Sequence, residues 1–207
     1  MGHDKLTWAL AGLPVLRRTL DAFLAADTVS SIIVVCSEER WSLLGAYDFP
    51  KPVTRADGGE SRQESVARGL AAVDTAAHLV AVHDGARPLV SPEDIDNAVR
   101  AAMEHRAAAL ARRATETMKR SDAEDFCAES VCRENLWCME TPQVFELALL
   151  REAYEAVTAQ GLQVTDEVSA VQAIGTKVKF VEARHPNLKI TTPADLALAE
   201  ALLQKQS

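Results

Sequence analysis

Apolar residues follow two alternating rhythms along this chain. Short apolar runs, most of them rich in β-branched residues, SIIVVC at 31–36, HLVAVHD at 78–84, AAALARR at 107–113 and VKFVEA at 178–183, read as strands, and the stretches between them carry a helical period. That alternation predicts an α/β fold, a mostly parallel sheet covered by helices on both faces. Two helix starts are marked in the same way, Ser91-Pro92-Glu93-Asp94 and Thr192-Pro193-Ala194-Asp195. Each places a capping hydroxyl, then proline at the first helical position, then an acid at the third. From about 114 to 138 the rhythm breaks: the stretch is polar, lacks helical periodicity, and lies between a strand and a helix expected to begin near Val144. It reads as a β-arm projecting from a single domain that spans 1–207, with no internal repeat and no low-complexity linker.

Composition narrows the partners rather than the fold. The 207 residues are 48% apolar and 25% charged, as in soluble globular proteins, and no apolar run approaches the ~20 residues that span a bilayer. A formal charge of -8 sets the surface against nucleic acid and anionic lipid, so phosphorylated ligands need a local cluster of cations. Cys36, Cys127, Cys132 and Cys138 form no C-x-x-C pair and have no histidines at zinc spacing, which predicts free thiols in a cytoplasmic protein. Met1-Gly2-His3-Asp4-Lys5 opens with neither an apolar signal core nor an Arg/Ser-rich transit character.

Four segments pair small or cap-forming residues with a cation or a metal-seeking acid at strand ends and loops, where open α/β sheets bind ligands. In GGESRQESVARGL (58–70), Gly58 and Gly59 allow close approach of backbone, while Arg62 and Ser65 share the first turns of a helix, a setting that suits a nucleotide and equally an ordinary capped turn. In VHDGARPLVSPED (82–94), Asp84 ends a strand and is a candidate Mg²⁺ ligand, or else a turn residue paired with Arg87. Strand alternation turns His83 away from Asp84, as a packed side chain. TETMKR (115–120) and RENLWCMETPQ (133–143) bring Thr117, Lys119, Arg120, Arg133 and Thr141, hydroxyls and cations fit for a phosphate monoester or for a solvated arm anchored by Trp137. TDEVSA (165–170) and NLKITTPADL (187–196) bring Thr165, read as a helix N-cap, and Lys189, read on a short strand where alternation with Leu188 and Ile190 pins it to one face.

In order and separation, GGESRQESV, VHDGARP, TMKR, LWCMETPQ, TDEVSA and NLKITTPADLALAE resemble the signature blocks of the 2-C-methyl-D-erythritol 4-phosphate cytidylyltransferase family, from Lys5 to Leu203. The resemblance implies a Rossmann-like sheet of the nucleotide-diphospho-sugar transferase type, a homodimer locked by exchanged arms, and a site that uses CTP, Mg²⁺ and a sugar-alcohol phosphate. Residue by residue, it implies Gly58, Gly59, Arg62 and Ser65 on the nucleotide, Asp84 on the metal, and Lys5 on the triphosphate in the transition state. Arg87, Thr117, Arg133, Thr141, Thr165 and Lys189 would hold the sugar phosphate, some reaching across the dimer. Lys5, Arg133 and Lys189 are the catalytic candidates.

The chain also departs from the pattern. The family opens on a strand and a loop of the type A-A-G-x-G-x-R-M, and this chain begins where that loop would end, so a start that lacks the loop and binds CTP poorly is the expectation. Glu116 stands for an aspartate, Arg113 for a proline, and Gly85 for a common alanine. Gly85 also resembles the ribitol 5-phosphate cytidylyltransferases, which keeps that alcohol as the alternative acceptor. A non-catalytic paralogue that binds phosphorylated ligands is the other alternative.

Overall fold

The computed structural model describes residues 4–45 and 48–205, so Met1, Gly2 and His3, where no leader was read, lie outside the described residues. In chain order the elements are β1 (Ala9–Leu10), β2 (Leu13–Pro14), α1 (Val15–Ala25), β3 (Ile32–Val35), α2 (Glu38–Ser42), β4 (Val53–Ala56), α3 (Arg62–Ala72), β5 (Leu79–Val82) and α4 (Pro92–His105). They continue with β6 (Ala107–Arg113), β7 (Met118–Ser121), β8 (Cys127–Val131), β9 (Trp137–Glu146), α5 (Leu147–Ala159), α6 (Glu167–Ala173), β10 (Lys179–Glu182) and α7 (Pro193–Gln204).

The principal sheet has the order β10-β6-β9-β5. β10 runs parallel to β6, and both β5 and β6 run antiparallel to β9, so β9 alone is reversed. The reversal follows from connectivity: the chain leaves β6, makes the arm and returns beside β6 as a hairpin, whereas β5 reaches β6 through α4. β3 and β4 pair in parallel as a separate two-stranded sheet. α1 spans the two sheets, giving Phe23 to the cluster over β6 and Leu16 and Leu20 to the one with Val34 of β3.

Side chains of β6 explain why helices close on both faces. Ala107 and Ala109 point into the cluster of α5 and α6 with Phe145, while Ala108 and Leu110 point into the cluster of α4 and α1 with Val144. Small residues on a strand buried on both sides let the two helical layers approach. Both marked helix starts hold: Ser91 Oγ accepts from Asp94 N, and Thr192 with Asp195 forms a complete capping box.

Three expectations need correction. The helix expected near Val144 begins three residues later, since β9 continues to Glu146 and α5 starts at Leu147. The residues around Val144 are central-strand residues buried on both faces, and such a run has no alternation to mark it as a strand. The arm is a β-hairpin of β7 and β8 as expected, but its upper bound falls short of 138, since Trp137 and Cys138 already belong to β9. Its residues are nearly all exposed, with Phe126 near the tip 72% exposed, and its cross-strand contacts are polar, Arg120 with Glu129 at 2.5 Å and Lys119 with Ser130. Finally, Lys189 is not on a strand, because its segment makes a single backbone bond to the neighbouring turn, Ile190 N to Ala86 O at 2.8 Å.

Candidate active site

β5 ends at Val82, and the chain turns at once, Arg87 N donating to Asp84 O at 3.0 Å. This sets Asp84 at the carboxyl end of a strand, only 14% exposed, where three cations reach it. Lys189 Nζ lies 2.9 Å from Oδ2, Arg87 Nε 3.3 Å from the same oxygen, and Arg62 Nε 3.5 Å from Oδ1. Burial alone would raise the Asp84 carboxyl, but the hydrogen bond and charge of Lys189, with Arg62 and Arg87 behind it, outweigh burial and hold it at about 2.

Each cation has its own support. Arg87 Nη1 donates to Asn187 O at 2.8 Å, which ties the turn to the segment that carries Lys189. Ile190 is fully buried beside Leu10, Val15 and Leu89, so alternation turns Lys189 outward to Asp84, as its sequence neighbours indicated. Arg62, the first residue of α3, makes a bidentate pair with Glu167 at 2.7 and 2.8 Å. Glu167 is fully buried and also accepts from Tyr154 Oη at 3.0 Å. The Arg62 guanidinium, which burial alone would weaken as an acid-base cation, is kept firmly protonated by that carboxylate.

The loop before α3 folds back on its own helix. Gly59 N donates to Ser65 Oγ at 2.9 Å, Gly58 O accepts from Arg68 at 2.7 Å, and a Cβ on Gly59 would come within 2.4 Å of the Glu64 side chain. The glycine is thus required by the helix turn as much as by any ligand. A Cβ on Gly85 would meet Leu16 at 3.0 Å and Leu6 at 3.6 Å, so the segment next to Lys5 lies directly against the Asp84 turn. Among the described residues no ion pair engages Lys5.

Thr141, on β9, is buried. Its hydroxyl oxygen accepts from Asp84 N at 3.1 Å and lies 3.0 Å from His83 Nδ1, while His83 Nε2 lies 3.3 Å from Arg87 O. One tautomer satisfies all three contacts: Nε2–H donates to Arg87 O and the Thr141 hydroxyl donates to Nδ1. Burial pushes the His83 imidazole down to about 4, with Phe23 4.8 Å from its ring, so His83 is a neutral strut. Thr141 therefore props the backbone of Asp84 and does not offer a free hydroxyl. Thr165 is corrected too: α6 is capped by Asp166, whose Oδ1 accepts from Ser169 N at 2.9 Å, and Thr165 stands one residue outside and exposed. Thr117 and Arg133 are not brought to Asp84 within this chain; both are exposed at the arm, Arg133 donating to Thr115 O at 2.5 Å.

Sequence reasoning passed over Glu167, Tyr154, Gln143 and Asn187. Glu167 sat inside TDEVSA, but nothing in its spacing marks a partner 105 positions away. Gln143 joins β9 to α6, its Nε2 donating to Asp166 Oδ2 at 2.9 Å and its Oε1 accepting from Val168 N at 3.0 Å.

A family model, IspD, 2-C-methyl-D-erythritol 4-phosphate cytidylyltransferase, matches residues 1–205. The chain belongs to the IspD family. An enzyme of that name from Caldanaerobacter subterraneus is 40% identical over 98% of this chain and 91% of its own length. The IspD enzyme of Parasynechococcus marenigrum is 42% identical over 98% and 92%. Among solved structures, the 4-diphosphocytidyl-2C-methyl-D-erythritol synthase of Anaerococcus prevotii superposes with a TM-score of 0.87 at 30% identity, covering 96% of this chain and 93% of that one. The Thermus thermophilus enzyme gives 0.82 at 35%, covering 98% and 95%. The fold is accordingly the nucleotide-diphospho-sugar transferase type carried by IspD structures. None of the four cysteines forms a disulfide, and among the described residues no helix is long and apolar enough to cross a membrane.

Proposed function

We propose that the Asp84 cluster is where this IspD-family chain joins CMP from CTP to 2-C-methyl-D-erythritol 4-phosphate, releasing pyrophosphate. The observation that carries the reading is the convergence of Lys189, Arg87 and Arg62 on one buried carboxylate at the end of β5. Two anions must meet before the acceptor oxygen attacks the α-phosphorus, and cations have to offset that repulsion. A phosphate monoester, with a second pKa near ~6, is mostly dianionic at neutral pH, so no general base is needed. His83, buried, neutral and bonded through both nitrogens, fits that absence of a base. Catalysis then rests on in-line positioning and charge stabilisation.

In this reading the loop of Gly58 and Gly59, with Arg62 and Ser65, holds the nucleotide, and Lys5 meets the triphosphate. Arg87, Lys189 and the exposed hydroxyl of Thr165 receive the sugar phosphate. Among the described residues no cluster of three or more His, Cys, Asp or Glu could hold a metal. A lone ionised Asp84 still fits Mg²⁺, which takes one or two carboxylates and completes its shell with waters and substrate phosphates. When bound there, Mg²⁺ neutralises triphosphate charge. The arm, too polar to join a core, supplies Thr117 and Arg133 to a second copy's site in a homodimer. A cytoplasmic protein that binds neither nucleic acid nor membrane agrees with a formal charge of -8.

Turnover of both acceptors with CTP and Mg²⁺ tests the substrate: 2-C-methyl-D-erythritol 4-phosphate is expected to react faster, and faster turnover of ribitol 5-phosphate would replace the assignment. Subunit mixing tests the arm. Arg133→Ala and Lys189→Ala subunits, each inactive alone, should regain about a quarter of native activity when mixed in equal amounts, since half the dimers then carry one intact site. No recovery on mixing means that both residues serve the same chain's site.

A further inference from the structure

Two side-chain atoms among the described residues are buried with no hydrogen-bond partner, Glu140 Oε2 and Asn187 Oδ1. They belong to adjacent groups, for the Glu140 carboxyl lies within hydrogen-bonding range of the Asn187 amide, and the residues are only 6% and 5% exposed. Both atoms are acceptors. Each costs roughly 1–3 kcal/mol if left unsatisfied, and the donors near Glu140, the Asn187 amide and Arg112, leave Oε2 and Asn187 Oδ1 without a partner. A single proton on Glu140 Oε2 removes both deficits.

What this pair holds is the frame of the site. Asn187 Nδ2 donates to Thr141 O at 2.7 Å, and Asn187 O accepts from Arg87 at 2.8 Å. Thr141 holds Asp84 N, Arg87 pairs with Asp84, and Lys189 follows Asn187 by two residues. Asn187 therefore clasps β9, the Asp84 turn and the Lys189 segment together, and Glu140 touches the clasp from β9. We propose that Glu140 donates a hydrogen bond from Oε2–H to Asn187 Oδ1 and that this bond positions Arg87, Thr141 and Lys189 around Asp84. The consequence for catalysis rests on the cytidylyl-transfer reading above.

The groups around Glu140 act on its carboxyl in both directions, with burial the largest effect. Burial pushes the carboxyl up, opposed by Arg87 on the turn after β5, by the Asn187 amide and by Arg112 on β6, and Asp94 on α4 raises it further. Arg112 is 3.5 Å away and more than half exposed, so water screens it.

Three variants separate a positioning bond from mere packing. Glu140→Gln keeps a donor toward Asn187 and should retain kcat within a few fold, with no alkaline fall in kcat, whereas the native protein should show such a fall if Oε2–H is the donor. Glu140→Leu fills the space without a donor and should lower kcat about tenfold to a hundredfold while KM for CTP changes little. Asn187→Asp should behave like Glu140→Leu above neutral pH. Equal losses in Glu140→Gln and Glu140→Leu, or native kcat in Glu140→Leu, overturn the proposal. An infrared band of a protonated carboxyl, present at neutral pH and lost in Glu140→Gln, reads the proton without any assay. Absence of that band defeats the bond whatever the activity, whereas a band in a protein that turns over neither acceptor leaves the bond standing and defeats the cytidylyl-transfer reading.

Discussion

Asp84→Asn should lower turnover about a thousandfold while leaving the turn after β5 folded. An amide is nearly the size of the carboxylate and can keep the backbone bonds of Asp84, but it carries no charge for Lys189, Arg87 or a metal to meet. Loss of a preorganised charge in a water-poor site typically costs a factor of ~10²–10³, and a lost metal ligand adds to it. Stability should change with a pH signature of its own. The folded-state acid, at about 2, is stronger than its ordinary 3.8, so ionised Asp84 contributes about 2 kcal/mol at neutral pH. Because the folded value is the lower one, that contribution is complete above roughly pH 4 and is lost as pH falls toward 2. Denaturant melts of the native protein and of the Asp84→Asn variant should therefore differ at pH 7 and converge near pH 2. Activity within a few fold of native, with no convergence of the melts, would make Asp84 an ordinary turn residue.

Local chemistry was legible in the sequence where one side chain answers to its own neighbours. Ser91 and Thr192 cap their helices as read, since an N-cap hydroxyl and a proline at N1 act within four residues. The run 107–113 is the observed β6, and 31–36 and 178–183 bracket β3 and β10, because β-branched or uniformly apolar runs between polar breaks have little alternative. Thr165 shows the limit of the same logic: Asp166 next to it is as good a cap, and the choice between adjacent cap formers is made by where α6 packs, with Glu167 fully buried behind it.

The site was legible as a set of residue types and strand ends, and not as a network. Asp84, Arg87, Arg62 and Lys189 were named from turns and alternation, and the structure does gather them. What holds them was invisible, since the Arg62–Glu167 pair spans 105 positions and the Arg87–Asn187 bond 100. Thr141 was read, with the other hydroxyls and cations of its segment, as a group for a phosphate monoester; folding places it beneath the turn, bonded to His83 and Asp84. The arm's polarity announced that it joins no core, but the extent of β9 did not show, because a strand flanked on both faces by helices has no polar side to mark its period.

Glu167→Ala should be the most destabilising single change near the site, at about 3 kcal/mol. The carboxylate is fully buried and receives three hydrogen bonds, two from Arg62 and one from Tyr154. Removing one partner of a buried ion pair typically costs ~3–5 kcal/mol, chiefly because the other charge is left without compensation. Here Arg62 keeps 36% of its side chain in contact with water, which places the loss at the lower end of that range. The source of the loss can be isolated by a cycle with Arg62→Met and Glu167→Leu. If the orphaned guanidinium is the cost, the double variant should recover more than half of the stability lost in Glu167→Ala, since two apolar side chains of similar volume pack in place of the pair. The two variants also divide in kinetics: Glu167→Ala leaves Arg62 present but unanchored and should raise KM for CTP, and the double variant should raise it as much or more despite its regained stability. A loss below ~1 kcal/mol in Glu167→Ala would put the pair in the class of exposed salt bridges, and Arg62 would then hold its place over Asp84 through α3 alone.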